Sequence, residues 1–185
     1  MTTQIMLDLE TMGTRPGSAI LSIGAVAFGG DPAKEPPADF YTVISLSSCL
    51  RNGLKASGST WEWWSDQSDA AREVLYEAMD HSTSKSLDTA LDDFSAWLSK
   101  LPAASPIWGN GSEFDQPLLA AAYVAVGSKA PWSYRDVRCY RTMKALCPDL
   151  DAIYVPPTIK HHALEDARAQ ATHLVKICAK LGIVL

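Results

Sequence analysis

Long apolar runs are missing from this chain. No stretch of its 185 residues is long enough to span a bilayer. The amino terminus, Met1-Thr2-Thr3-Gln4, has no basic segment leading into an apolar one, so no secretory signal is visible. The expectation is a cytoplasmic protein with no membrane contact. Cysteine is scarce: there are four, Cys49, Cys139, Cys147 and Cys178, with no Cys-x-x-Cys pair. That excludes a zinc ribbon and argues for reduced, mostly apolar side chains. Positive charge is in deficit, with 16 Lys and Arg against 21 Asp and Glu, a net charge of −5. A long footprint on duplex nucleic acid needs a basic face, which this balance opposes. A protein that grips only a short chain end escapes that objection. Internal repeats and low-complexity segments are absent too. What remains is ordinary globular composition, 47% hydrophobic and 20% charged, expected as a single domain over residues 1–185 with one substantial core.

The stretch Ile5-Met6-Leu7-Asp8-Leu9-Glu10-Thr11 is apolar but carries two carboxylates in alternation. Side chains two apart on a strand share a face, so Asp8 and Glu10 project side by side. In a core, that pair costs desolvation and mutual repulsion. A divalent cation turns the repulsion into ligation. On the wet face of an edge strand the same acids are harmless, and the stretch alone leaves both readings open.

The chain in order predicts strands over 4–9, 19–28 and 40–46, joined by short connections, hence an antiparallel meander. Gly29, Gly30, Asp31, Pro32, Pro36 and Pro37 mark a loop. Residues 47–60 read as loop or a small helical piece. Trp61, Trp63 and Trp64 follow within four positions. Helices are predicted over 68–79, capped by Ser68 with Ala71, Val74, Leu75 and Met79 inward, and over 84–101. A short strand over 106–109 runs into a glycine-flanked turn. The next helix starts near Ser112 to Asp115, because Pro117 is tolerated only in a first turn. A fifth strand over 135–139, a helix over 140–146, an irregular segment over 148–160 and a last helix over 162–181 complete the chain. Three strands followed by strands alternating with helices give an α/β fold with a mixed sheet and helices packed on it.

Three blocks stand in order: Asp8-Leu-Glu10-Thr; Asn110-Gly-Ser-Glu-Phe-Asp115; and His161-x4-Asp166. Together they resemble the DEDDh 3′-5′ exonucleases of the ribonuclease H-like superfamily. More narrowly, the stretches around Trp108–Leu119 and His161–Ala167 are similar to the compact Rv2179c-type exoribonucleases and related phage and bacterial exonucleases. The resemblance implies a ribonuclease H-like fold with a central five-stranded mixed sheet, three antiparallel strands followed by parallel ones. It implies a hydrolase that releases nucleoside 5′-monophosphates from a 3′ end. Asp8, Glu10, Asp115 and Asp166 would be the metal ligands and His161 the general base, with His162 as the rival. The cofactor implied is Mg²⁺ or Mn²⁺, two ions per site about 4 Å apart, since hard cations suit carboxylates. Family members are often homodimers, so a homodimer is among the expectations.

The expected partner is a single-stranded 3′ end, of RNA or a short oligonucleotide, with DNA ends as the alternative. By resemblance, Thr11, Met12 and Gly13 meet the terminal nucleotide. Trp61 or Trp64 is the candidate for base stacking, against a core role for most of the three indoles. Asn110 and Ser112 are candidates for the terminal sugar, and Arg138 and Arg141 for phosphates. Other classes stay on the table. A ribonuclease H-type endonuclease would share the acids but not need His161 at this spacing. A non-catalytic nucleic-acid-binding module predicts a basic surface. A structural subunit would scatter the carboxylates in space.

Overall fold

The structure, a computed structural model, describes residues 2–30 and 39–185. The loop expected at 29–37 falls mostly outside the described residues. Strand β1 (Thr3–Thr11) pairs antiparallel with β2 (Ile20–Gly29), which pairs antiparallel with β3 (Phe40–Val43). Helices α1 (Leu46–Arg51), α2 (Gly58–Ser65), α3 (Asp69–Met79) and α4 (Leu87–Leu98) follow. Strand β4 (Ile107–Gly109) leads to α5 (Asp115–Ala125), and β5 (Val137–Cys139) runs directly into α6 (Tyr140–Leu146). The last helix is α7 (Ala163–Leu181), ended by Gly182 in the left-handed region. The sheet order is β3-β2-β1-β4-β5, with β4 and β5 parallel to β1. This is the mixed five-stranded sheet expected from the pattern.

Two apolar clusters sandwich the sheet. On one face Ile5, Leu7 and Leu9 pack with Leu75 of α3, Phe94 of α4 and Leu118 of α5. On the other, Met6, Val26 and Trp108 meet Tyr140 of α6 and Ala167, Leu174 and Ile177 of α7. Each buried Leu or Ile contributes about 1.5–3 kcal/mol relative to exposure. The helix starts follow local chemistry: Ser68 and Ser86 accept hydrogen bonds from the backbone N–H groups of Ala71 and Thr89.

Several boundaries differ from the sequence pattern. Strand β3 stops at Val43, because Ser45 caps α1 and draws Leu46 into a helix. Met79 is exposed, and Ala78 takes the inward position. The helix predicted over 84–101 is shorter, since Ser86 sets its start and Ser99 its end. Leu181 is exposed at the end of α7. A 3-10 turn, Pro148–Ile153, occupies part of the segment read as irregular. Among the described residues, no helix is long and apolar enough to cross a membrane.

Candidate active site

Asp8 and Glu10 sit on the β1 face that carries Met6, toward α7. Their partners across the β1–β2 ladder are Gly24 and Ser22. Gly24 explains how α7 comes so near. A Cβ at this position would lie 2.2 Å from the carbonyl carbon of Ala163 and from the amide nitrogen of Leu164. With no side chain there, the first turn of α7 rests on the strand backbone. Asp166, one turn in, then joins the two β1 acids. One carboxylate oxygen from each of Asp8, Glu10 and Asp166 lies within 4.8 Å of the others.

Asp115 arrives from the other side, as the first residue of α5. A Cβ on Gly109 would lie 2.7 Å from its Oδ2, so glycine makes room for the carboxylate. The Asn110 N–H donates to the same oxygen at 3.0 Å. Asp115 is buried and stands outside the three-oxygen cluster, yet its charge is the strongest felt by Asp8. Gln170, four residues beyond Asp166 and thus on the same helix face, donates from Nε2 to Asp8 Oδ1 at 2.7 Å.

All four acids are held above the usual carboxylate range. Desolvation is the main cause for Asp8, followed by the charges of Asp115, Glu10 and Asp166, and opposed by the Gln170 hydrogen bond. Glu10 is raised by burial, then by Asp166 and Asp115. Burial raises Asp166 against the His162 N–H, which donates to its Oδ2 at 3.1 Å. Burial pushes Asp115 up to about 7, despite three backbone donors and the nearby Arg141 charge. Four acids with this cost and an all-oxygen donor set fit a hard divalent cation.

Asp8, Glu10 and Asp166 line a cleft of about 510 Å³, with Asp115 buried behind its wall. His161 lies on its wall, with φ of 62°, a left-handed conformation costly for a non-glycine residue. Its ring meets Trp63 edge-on, 4.8 Å between centroids at 82°. Burial lowers its pKa, against the pull of Asp166. His162 points elsewhere: it stacks on Tyr41 at 4.4 Å and 17° and lines a neighbouring hollow.

Among the residues proposed for substrate, Thr11, Gly13, Trp64 and Asn110 line the cleft. Trp64 is nevertheless fully buried, and its Nε1 donates to Thr11 O at 3.0 Å. It supports the Thr11 turn and has no free face for a base. Met12 is also fully buried, because the chain doubles back around it: its N–H donates to Ala19 O and its carbonyl accepts from Ser57 N–H. Ser112 is exposed and lies off the cleft lining, as does Trp61. The indole at the cleft is Trp63, 41% exposed. Trp61 stands two positions from it, about 200° round the helix, so the two cannot share a face. Sequence reasoning also passed over Gln170 and Gly24. The i+4 spacing from Asp166 and a glycine inside a strand were the available signals.

The fold and the acid set define the class first. The nuclease domain of 3′hExo, a DEDDh family member solved bound to rAMP, superposes with a TM-score of 0.65 at 12% identity, covering 100% of this chain and 94% of that one. E. coli Exonuclease I, solved with a dT13 oligonucleotide, gives a TM-score of 0.62 at 14% identity over 98% of this chain and 43% of that one. At such identities the likeness is one of fold: the ribonuclease H-like fold of the DEDDh exonucleases. Residues 3–178 match the family model of the 3′-5′ exoribonuclease Rv2179c-like domain, and the chain belongs to that family. The exodeoxyribonuclease of Enterobacteria phage T4 is 27% identical over 121 residues, 62% of this chain and 52% of that protein. The chain thus spans about half the length of this curated relative.

Proposed function

We propose that the protein is a metal-dependent 3′-5′ exonuclease that removes nucleoside 5′-monophosphates singly from the 3′ end of single-stranded RNA or short oligonucleotides. The observation that carries this is the meeting of Asp8, Glu10 and Asp166, from β1 and α7, within 4.8 Å at a cleft that also holds His161. Two divalent ions, held by these three acids and Asp115, would supply charge stabilisation at the attacking and leaving oxygens. Gln170 fixes the Asp8 carboxylate. His161, whose pKa burial lowers, takes the proton of the attacking water. His162 is occupied by Tyr41 and is the weaker choice. Trp63 offers a face for the terminal base, worth about 1–3 kcal/mol, and the Thr11–Gly13 turn offers backbone groups.

RNA is favoured by the family's description, and the phage relative's name favours DNA as the second reading. Matched single-stranded RNA and DNA, labelled at either end, with Mg²⁺, Mn²⁺ or EDTA, test both. The expected result is a one-nucleotide ladder from the 3′ end, abolished by EDTA and faster on RNA. Internal fragments, shortening from the 5′ end or full rates in EDTA would refute the proposal.

A further inference from the structure

The proposed cleft takes one terminal nucleotide, and a strip of cations begins where it ends. Residues 129–144 hold five Lys and Arg against one acid, Asp136, in a chain of net charge −5. Arg135, Arg138 and Arg141 are exposed, and no ion pair found among the described residues involves them. They stand three residues apart, leading into edge strand β5, on it, and at the start of α6.

Carbonyls rather than carboxylates hold two of these guanidiniums. Arg138 Nη1 donates to Arg135 O at 2.6 Å and to Val137 O at 3.0 Å. Arg141 Nη2 donates to Asn110 O at 2.7 Å. A carbonyl partner orients the fork but leaves its charge unneutralised and other N–H donors free. Asn110 lines the cleft, so Arg141 marks the junction of strip and cleft. At the far end Tyr134 is 79% exposed, with the Arg135 guanidinium 5.6 Å from its ring centroid. The one acid of the segment, Asp136, keeps its charge, with Oδ2 accepting from the Ser133 N–H at 3.3 Å, and leaves the five cations in clear excess. Cations in series with an exposed ring are what a single strand uses, phosphates on the one and a base on the other.

We propose that β5 and the start of α6 form a track for the nucleotides on the 5′ side of the scissile bond. Arg141, Arg138 and Arg135 take successive phosphates, and Tyr134 stacks a base. This rests on the exonuclease reading and adds a preference for substrates several nucleotides long.

The test compares wild type, the double variant Arg135→Gln/Arg138→Gln, and Tyr134→Ala on a dinucleotide and an octanucleotide. Arg141 is left alone because it also fastens the Asn110 turn. In the double variant the octamer-to-dinucleotide ratio of kcat/KM should fall on the order of ten-fold. The slope of log KM for the octamer against log salt should drop by about 0.7 for each phosphate no longer held by an arginine. Tyr134→Ala should weaken the octamer about five-fold or more. Fluorescence anisotropy of the octamer on the Asp8→Asn background should rank the variants the same way without turnover. A wild-type ratio and salt slope in the double variant would overturn the track. So would displacement of the octamer by polyglutamate with no effect of Tyr134→Ala, which would assign the strip to an acidic protein. If wild type shortened neither substrate, the exonuclease reading would fail, while the anisotropy series would still decide the track.

Discussion

Asp8→Asn should make the metal-free protein more stable. The substitution keeps shape and an oxygen that accepts from Gln170 Nε2, now 2.7 Å from Asp8 Oδ1, and removes one charge. At the 4.8 Å separation that bounds the three carboxylates, two unit charges repel by about 3.5 kcal/mol at an effective dielectric of ~20. Part of this is offset, because burial and mutual repulsion raise the pKa values of Asp8 and Glu10 and so favour proton uptake by the cluster. The recoverable part is then about 2 kcal/mol, or roughly 4–8 °C in Tm for a chain of this size. Thermal melts at pH 8 in EDTA read it directly. Adding Mg²⁺ should raise the wild-type Tm and move the variant far less, since ligand binding to the folded state alone stabilises it. A variant that melts below wild type in EDTA, or gains as much from Mg²⁺, would show that carboxylate crowding is not a cost in this fold.

Other outcomes follow from the same geometry. In EDTA, stability should fall as pH rises from about 4 to about 7. Asp115 has a folded pKa of about 7, above its ordinary value of 3.8, so the folded state binds more protons in that window. Urea titrations across pH check this, and a flat or rising profile would contradict it. His161→Ala should cut turnover by about 10²-fold or more with its Tm within a few degrees of wild type, whereas His162→Ala should act mainly on stability through the lost Tyr41 stack. A larger turnover loss for His162→Ala, measured on 3′-labelled oligonucleotide, would reverse the assignment. Gly24→Ala should destabilise by on the order of 3 kcal/mol, since its methyl meets α7 backbone at 2.2 Å. A chemical denaturation midpoint near wild type would refute that. Trp64→Phe removes the hydrogen bond to Thr11 O and should cost about 1–3 kcal/mol. A smaller loss would show the buried carbonyl finding another donor.

Residue order carried the parts of this fold that depend on short-range periodicity. Alternation along β1 placed Asp8 and Glu10 on one face, and Ser68 marked the start of α3 because capping is local. Residues 137–146 fell close to their predicted strand and helix for the same reason. What escaped depended on phase or on distant contacts. Which indole faces the cleft is set by where α2 begins, and Gly58 carries no strong start signal. Met12 follows the strand that carries Asp8 and Glu10 and looks available to ligand, yet bonds to Ala19 and Ser57 fold the chain over it. The role of Gly24 lies in a helix some 140 residues later in the chain, and no local pattern announces such an approach.

Gly24 has one more consequence. Main chain rests on main chain where α7 crosses β2, so the interval between Asp166 and the β1 acids does not depend on how apolar side chains share out the volume around it. Exchanges among Met6, Val26, Leu174 and Ile177 can trade bulk without lengthening or shortening that interval. The ruler of the chemistry is a single hydrogen atom where every other amino acid carries carbon.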